Sequence, residues 1–189
     1  MIDAKELIEI RWHGRGGQGA VTSTELLARA AINEGKYASA FPAFGAERRG
    51  APVIAFLRIS KTNPIRVRSE IDEPDAVVVL DSRLLHIVNV TVGLKEGGTL
   101  IINTGRPIQE VESEFRNKWH LAVVNATKIA QELLGVPIVN TAMIGALLKA
   151  TGVVKLESLG EPLQYHFPRL AERNMNAIKR AYEETLLKE

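Results

Sequence analysis

The chain has 189 residues, with 24 Lys+Arg against 22 Asp+Glu and no cysteine. A balance this even, without a basic tract, excludes nucleic acid as the main partner, because neutralising phosphates takes a concentrated basic face. The missing cysteines exclude a secreted disulfide scaffold and any Cys-ligated iron–sulfur cluster held by this chain. The length fits a single domain over 1–189, large enough to bury roughly 70% of its unfolded surface without a disulfide or metal. The N-terminal residues lack the basic flank and apolar core of a signal peptide, and no apolar run approaches the roughly 20 residues that span a bilayer. A soluble, cytoplasmic protein with no membrane partner is expected.

Residues 7–12 (Leu-Ile-Glu-Ile-Arg-Trp) alternate apolar and charged side chains as a half-buried strand does. A glycine loop follows, His13-Gly14-Arg15-Gly16-Gly17-Gln18-Gly19. From Ala20, the residues Val21, Leu27, Ala28 and Ala31 recur at helical spacing until Gly35. Residues 37–41 form a second strand, and residues 42–52 a loop rich in glycine, proline and charge. Residues 51–60 read as a strand, 61–64 as a turn and 65–68 as a polar-faced return strand, which together make a β-hairpin.

The run Ala76-Val77-Val78-Val79-Leu80 is continuous and apolar, as in a strand buried on both faces. Asp81 ends it, and residues 82–92 are compatible with a short helix. Two shorter strands follow at 99–102 and 121–124, ended by Asn103 and Asn125. Helices are expected at 127–134, closed by Gly135, and at 141–150, closed by Gly152 with Asn140 or Thr141 as N-cap. Residues 168–187 read as a long final helix with Leu170, Asn174, Ile178 and Ala181 on one face. The alternation predicts a doubly wound α/β fold, a mostly parallel sheet with a β-hairpin insertion and a long C-terminal helix. In such sheets ligands sit beyond the carboxyl ends of the strands, which puts His13, Asp81, Asn103 and Asn125 on one rim with the glycine loop.

A glycine loop between strand and helix leaves the first helical N–H groups unpaired, and without Cβ atoms a phosphate or carboxylate can approach them. Gly14, Gly16 and Gly19 formally satisfy G-x-G-x-x-G, the dinucleotide fingerprint. Its other half is absent, because Glu34 precedes the second strand and Glu47 lies well past its end. A P-loop is excluded, since no Lys-Ser or Lys-Thr follows the glycines. The same glycines would also serve a tight turn with close helix–strand packing and no ligand. The 42–52 loop carries Glu47, Arg48, Arg49 and Gly50, and a guanidinium fork from Arg48 or Arg49 facing the glycine loop would complete an anion pocket. Glu47 pairing with one of these arginines is the competing arrangement. Asp81 reads first as a helix N-cap. His13, His86, His120 and His166 show no metal-ligand spacing, and no catalytic set or metal site emerges.

Residues 12–21, residues 40–45 and Glu47-Arg48-Arg49-Gly50-Ala51-Pro52-Val53 together resemble the gamma subunit of 2-oxoacid:ferredoxin oxidoreductases. The likeness continues through residues 65–69 and 74–81, and the Glu-Arg-Arg-Gly-Ala-Pro form is closer to the pyruvate- and 2-oxoisovalerate-type members. The resemblance implies a complex that decarboxylates a 2-oxoacid oxidatively to acyl-CoA and CO2. Thiamine diphosphate and iron–sulfur clusters would then belong to alpha, beta and delta subunits, with ferredoxin taking the electrons. It implies no cofactor bound by this chain alone and no catalytic activity from the isolated chain. The role it implies here is scaffolding, with an anion pocket for coenzyme A at Gly14, Arg15, Gly16, Gly17, Gln18 and Gly19 together with Glu47, Arg48, Arg49 and Gly50. The alternatives are a purely structural assembly subunit and an independent NAD(P)-binding oxidoreductase.

Overall fold

A computed structural model describes residues 5–43, 50–115 and 118–188. The elements in chain order are β1 Leu7–Arg15, α1 Ala20–Asn33, β2 Tyr37–Pro42, β3 Pro52–Ser60, β4 Ala76–Val79, β5 Thr99–Asn103, α2 Ile108–Phe115, β6 His120–Val124, α3 Ala126–Leu134, α4 Asn140–Thr151, α5 Gly160–His166, α6 Ala171–Glu184 and β7 Leu186–Lys188. A short 3-10 turn, Ser82–His86, follows β4. The strands form one sheet in the order β2-β3-β1-β4-β5-β6-β7. β1, β2, β4, β5 and β6 point one way, while β3 and β7 run against them.

The apolar runs explain the layering. Along β4, Val78 faces one cluster and Val77 and Val79 the other, and all are fully buried. On one face Ile10, Trp12, Leu57, Val78 and Ile101 pack beneath α1, α4 and α6. On the other, Val77, Val79, Leu100 and Ile102 pack under the 3-10 turn and α2 through Leu84, Ile108 and Val111. Helix α4 is buried nearly all round, as a helix in the middle of a core must be. It lies against α6 so closely that a Cβ at Gly145 would sit 2.1 Å from the Ile178 carbonyl oxygen.

Beside β1 and β3 the second face is polar, and an irregular crossover, residues 61–75, covers it in place of a helix. Two buried arginines satisfy its carbonyls. The Arg58 guanidinium donates to Ser69 O at 2.8 Å and to Glu70 O, with its Nε on Glu9. Arg11 donates to the carbonyls of Ile71, Val90 and Val92. Buried main-chain oxygens need such donors wherever no ladder supplies them.

Several expectations are corrected. β1 runs on to Arg15, so Gly14 and Arg15 belong to a strand paired with Val53 and Pro52. Residues 65–68 form no strand, because β3 already bonds β1 on one edge and β2 on the other, and no edge is left for a return partner. The hairpin is instead β2–β3. The final helix ends at Glu184, where the Thr185 hydroxyl donates to the Ala181 carbonyl and ψ turns to 122°; the chain then adds β7 to the outer edge of β6. Asn174, Ile178 and Ala181 are buried on its inner face as expected, whereas Leu170 is exposed. Neither Asn140 nor Thr141 caps α4; Val139 holds that position, and the Thr141 hydroxyl donates to Asn174 Oδ1 at 2.8 Å. Helices α2 and α5 are additions. Ile108, Val111 and Phe115 carry helical spacing, but over only eight residues.

Replacing Gly145 with alanine should force α4 and α6 apart, since the atoms in the way are backbone. Overpacking of this kind costs about 2 kcal/mol or more. Scanning calorimetry of Gly145→Ala should show a midpoint lowered by roughly 4–8 °C.

Candidate functional site

β1 delivers the chain to the carboxyl-end rim of the sheet. There Gly16 bridges to the segment preceding β3: its N–H donates to Ala51 O at 2.9 Å and its carbonyl accepts from Gly50 N at 3.1 Å. The next turn closes on itself. Gln18 N donates to Arg15 O at 2.9 Å, and Gln18 Oε1 accepts from Arg15 N at 2.7 Å. Gly17 has φ +92°, and the space a side chain there would take is open. Gly19, with φ +80°, is the N-cap of α1, which therefore begins without a side-chain cap. Gly14 is filled rather than open, because a Cβ would lie 2.9 Å from Leu80 Cδ1. That glycine serves close packing.

Asp81 organises the charges. Its carboxylate accepts from Arg15 Nε at 2.9 Å, from Arg83 Nε at 2.9 Å and Nη2 at 2.8 Å, and from Arg83 N at 3.0 Å as N-cap of the 3-10 turn. The hydrogen bond from Arg83, against the opposing effect of burial and with help from Arg15, lowers its pKa to about 2. Two guanidiniums share one carboxylate, so this cluster of described residues carries net positive charge. Arg15 also donates to Gly50 O at 3.1 Å, which ties the glycine turn to the second glycine-arginine segment.

A cleft of about 470 Å³ opens here, lined by Gln18, Asp81, Arg83, Asn103, Asn125 and Val139 among others. The first turn of α3 and the N-cap of α4 reach its wall through Thr127 and Val139. Two of the expected rim residues are committed to the fold. Asn103 Nδ2 donates to Leu80 O and Thr127 Oγ1, both at 2.9 Å, and Asn125 Oδ1 accepts from Lys128 N to cap α3. His13 is buried beneath the rim. Arg11 Nε donates to its Nε2 at 3.0 Å, so the ring accepts at that nitrogen. Burial first, then the Arg11 charge, lowers its pKa to about 3.

The structure thus brings together Arg15, Gly16, Gly17, Gln18, Gly19 and Gly50, and separates Gly14 and His13 from the open space. Glu47, Arg48 and Arg49 lie outside the described residues. Sequence reasoning missed Arg83 and Thr127, whose signal was their place two residues after a strand-ending Asp or Asn. Among the described residues no cluster of His, Asp or Glu could hold a metal ion, and no helix is long and apolar enough to cross a membrane. A nicotinamide ribose would need an acid at the end of a strand next to β1, but β3 intervenes and sets β2 about 10 Å away. Glu34 is engaged elsewhere, with Lys36 and the Lys155 amide.

A profile of the pyruvate ferredoxin/flavodoxin oxidoreductase family matches residues 9–184. The Thermococcus kodakarensis pyruvate/ketoisovalerate oxidoreductases common subunit gamma is 55% identical over 97% of this chain and all of its own length. The Methanocaldococcus jannaschii pyruvate synthase subunit PorC is 49% identical over 96% of this chain and 99% of its own. The crystal structure of pyruvate oxidoreductase subunit PORC from Thermotoga maritima superposes with a TM-score of 0.86 at 40% identity, covering 98% of this chain and 100% of that one. The chain belongs to the pyruvate ferredoxin/flavodoxin oxidoreductase family, in its gamma-subunit branch. It is of the kind that forms part of an oxidoreductase complex.

The neutral, buried His13 has a measurable consequence. The unfolded ring takes up a proton below its ordinary 6.5 and the folded ring only near 3, so between these values the unfolded state holds more protons. Stability should therefore fall as pH drops from 6.5 toward 3, with a slope of up to about 1.4 kcal/mol per pH unit from this group. In urea unfolding at stepped pH, His13→Gln should show a shallower acid slope than the parent.

Proposed function

We propose that this chain is the gamma subunit of a thiamine-diphosphate-dependent pyruvate-type 2-oxoacid:ferredoxin oxidoreductase and that it lends the complex an anion pocket for coenzyme A. The observation that carries this reading is the meeting of two glycine-arginine segments in space. Gly16 bonds to Gly50 and Ala51, and Arg15 reaches both Gly50 and Asp81. The unpaired amides of the first turn of α1 and the cations of the rim then favour a phosphate or carboxylate. The identity of this chain with gamma subunits over nearly its whole length supports the assignment to the complex.

Within that complex, thiamine diphosphate would supply the carbon chemistry and iron–sulfur clusters the electron transfer to ferredoxin, both on alpha-, beta- and delta-type subunits in the cytoplasm. This chain has no cysteine with which to ligate a cluster, so its donor set does not fit that role. Its own contribution is to bind and orient: the turn at residues 15–19 fixes amide direction, and Asp81 holds Arg15 and Arg83 at the mouth. The scaffolding alternative is favoured by the use of Asn103, Asn125 and Asp81 as caps and staples.

Substituting alanine at both Arg48 and Arg49 should raise the coenzyme A KM of the assembled complex about tenfold or more, the value of a charge-assisted hydrogen bond. The pyruvate KM should stay put. An unchanged coenzyme A KM would end the pocket reading. Gly16→Leu separates the two roles: an assembled but inactive complex indicates a loop facing ligand, and failed assembly indicates scaffolding.

A further inference from the structure

Residues 64–68 (Pro-Ile-Arg-Val-Arg) run without a turn or bend beside the start of β1 and the end of β3, yet belong to no sheet. The main-chain N–H groups of Ile65, Arg66, Val67 and Arg68 have no acceptor among the described residues. Of their carbonyls, Val67 O alone meets a donor among those residues, Arg58 Nη1 at 3.5 Å. The stretch is nevertheless held at both ends. Before it, Glu6 Oε1 accepts from Thr62 N at 2.9 Å and from Asn63 N at 3.2 Å. After it, Arg58 Nη1 donates to Ser69 O at 2.8 Å. A segment fixed in this way has part of the ordering cost of pairing already met.

Its side chains divide by type. Ile65 and Val67, two apart, line a groove of about 380 Å³ together with Leu7, Ser60 and Pro64. Val67 is 56% exposed and Leu7 43%, so apolar surface is left open there. Arg66 and Arg68 are exposed and have no ion-pair or hydrogen-bond partner among the described residues. The carboxylates lining the groove are taken, Glu6 by the turn and Glu9 by Arg58. Residues 64–69 hold two arginines and no acid, and Glu70 follows only past the Ser69 anchor.

Free amides along an extended run are a template for an incoming strand, and unmatched arginines select acids on it. A second copy of this chain fits poorly, because a two-fold pairing would set Arg66 and Arg68 against their own equivalents. We propose that residues 65–68 are a docking edge, joined as an added strand by an extended acidic segment of another subunit of the complex. The main chain of that segment pairs with the free amides, one apolar side chain enters the groove beside Leu7, and carboxylates meet Arg66 and Arg68. The groove contact is required, since a two-stranded ribbon alone is marginal in water. The proposal rests on this chain's place in an oxidoreductase complex and is independent of the anion pocket.

Hydrogen exchange of the full chain, alone and in the assembled complex, tests the pairing. The amides of residues 65–68 should exchange about tenfold or more slowly in the complex, and equal rates would overturn the proposal. A photo-crosslinking side chain in place of Val67, followed by peptide mass spectrometry, identifies the occupant. Crosslinks to an Asp- or Glu-bearing segment of another subunit support the proposal. Crosslinks to a second copy of this chain, or to a segment without acids, overturn it. Arg66→Glu combined with Arg68→Glu should weaken assembly about tenfold, and more at low salt than at high salt. The melting midpoint of the free chain should stay near the parent's, and glutamine at both positions should give an intermediate loss. Assembly as tight as the parent's counts against the docking edge. Alanine at Arg48 and Arg49 should leave residues 65–68 protected in the complex, so failure of the coenzyme A pocket and failure of this edge are read separately.

Discussion

One strand placed against the grain sets the arrangement at the rim. β3 enters antiparallel between β1 and β2 and pairs with both along nearly its whole length, Ser60 opposite Leu7 on one side and Tyr37 on the other. Because β3 runs backward, the connection before it returns to the carboxyl end of β1 instead of crossing to the far side of the sheet. Gly50 and Ala51 are thereby laid against Gly16, and Arg15 can reach Gly50 O. Two segments more than thirty residues apart become one wall.

The same insertion explains what the protein is not. A dinucleotide fold needs its second strand beside its first, with an acid at the tip. Here that place is occupied, and the glycines that mimic the fingerprint do other work: Gly14 makes room for Leu80, and Gly19 makes room for Asn140. It also leaves the second face of β1 and β3 without a helix. Arg11 and Arg58 compensate by binding the carbonyls of the irregular crossover, which is why two guanidiniums are nearly fully buried in a chain otherwise built on aliphatic packing.

Electrostatically the rim is a division of labour. Asp81 gives up its free oxygens to order Arg15, Arg83 and the turn that follows β4, and in exchange the two cations are held at the rim. Asn103 and Asn125 tie α3 to the strand ends. The polar residues most visible on the rim therefore shape the cleft, while Asn140, which reads in the sequence as an ordinary helix cap, lays its side chain against Gly19 instead.

Much was legible without coordinates. The apolar run 76–80, the alternation in residues 7–12 and the glycine stops at 35, 135 and 152 are local signals, and they located strands and helices because short-range pattern and burial agree there. The strand-to-helix turn was legible for the same reason, but only from Gly16, because Gly14 and Arg15 pair with β3 as part of β1. Pairing was not. Whether residues 65–68 find a strand edge depends on β3 having both edges filled, and whether residues 186–188 continue a helix depends on β6 having one edge free. Those are long-range competitions that no window of sequence contains. Only the folded sheet decides them, and with them which glycines face open space and which let other side chains pack close.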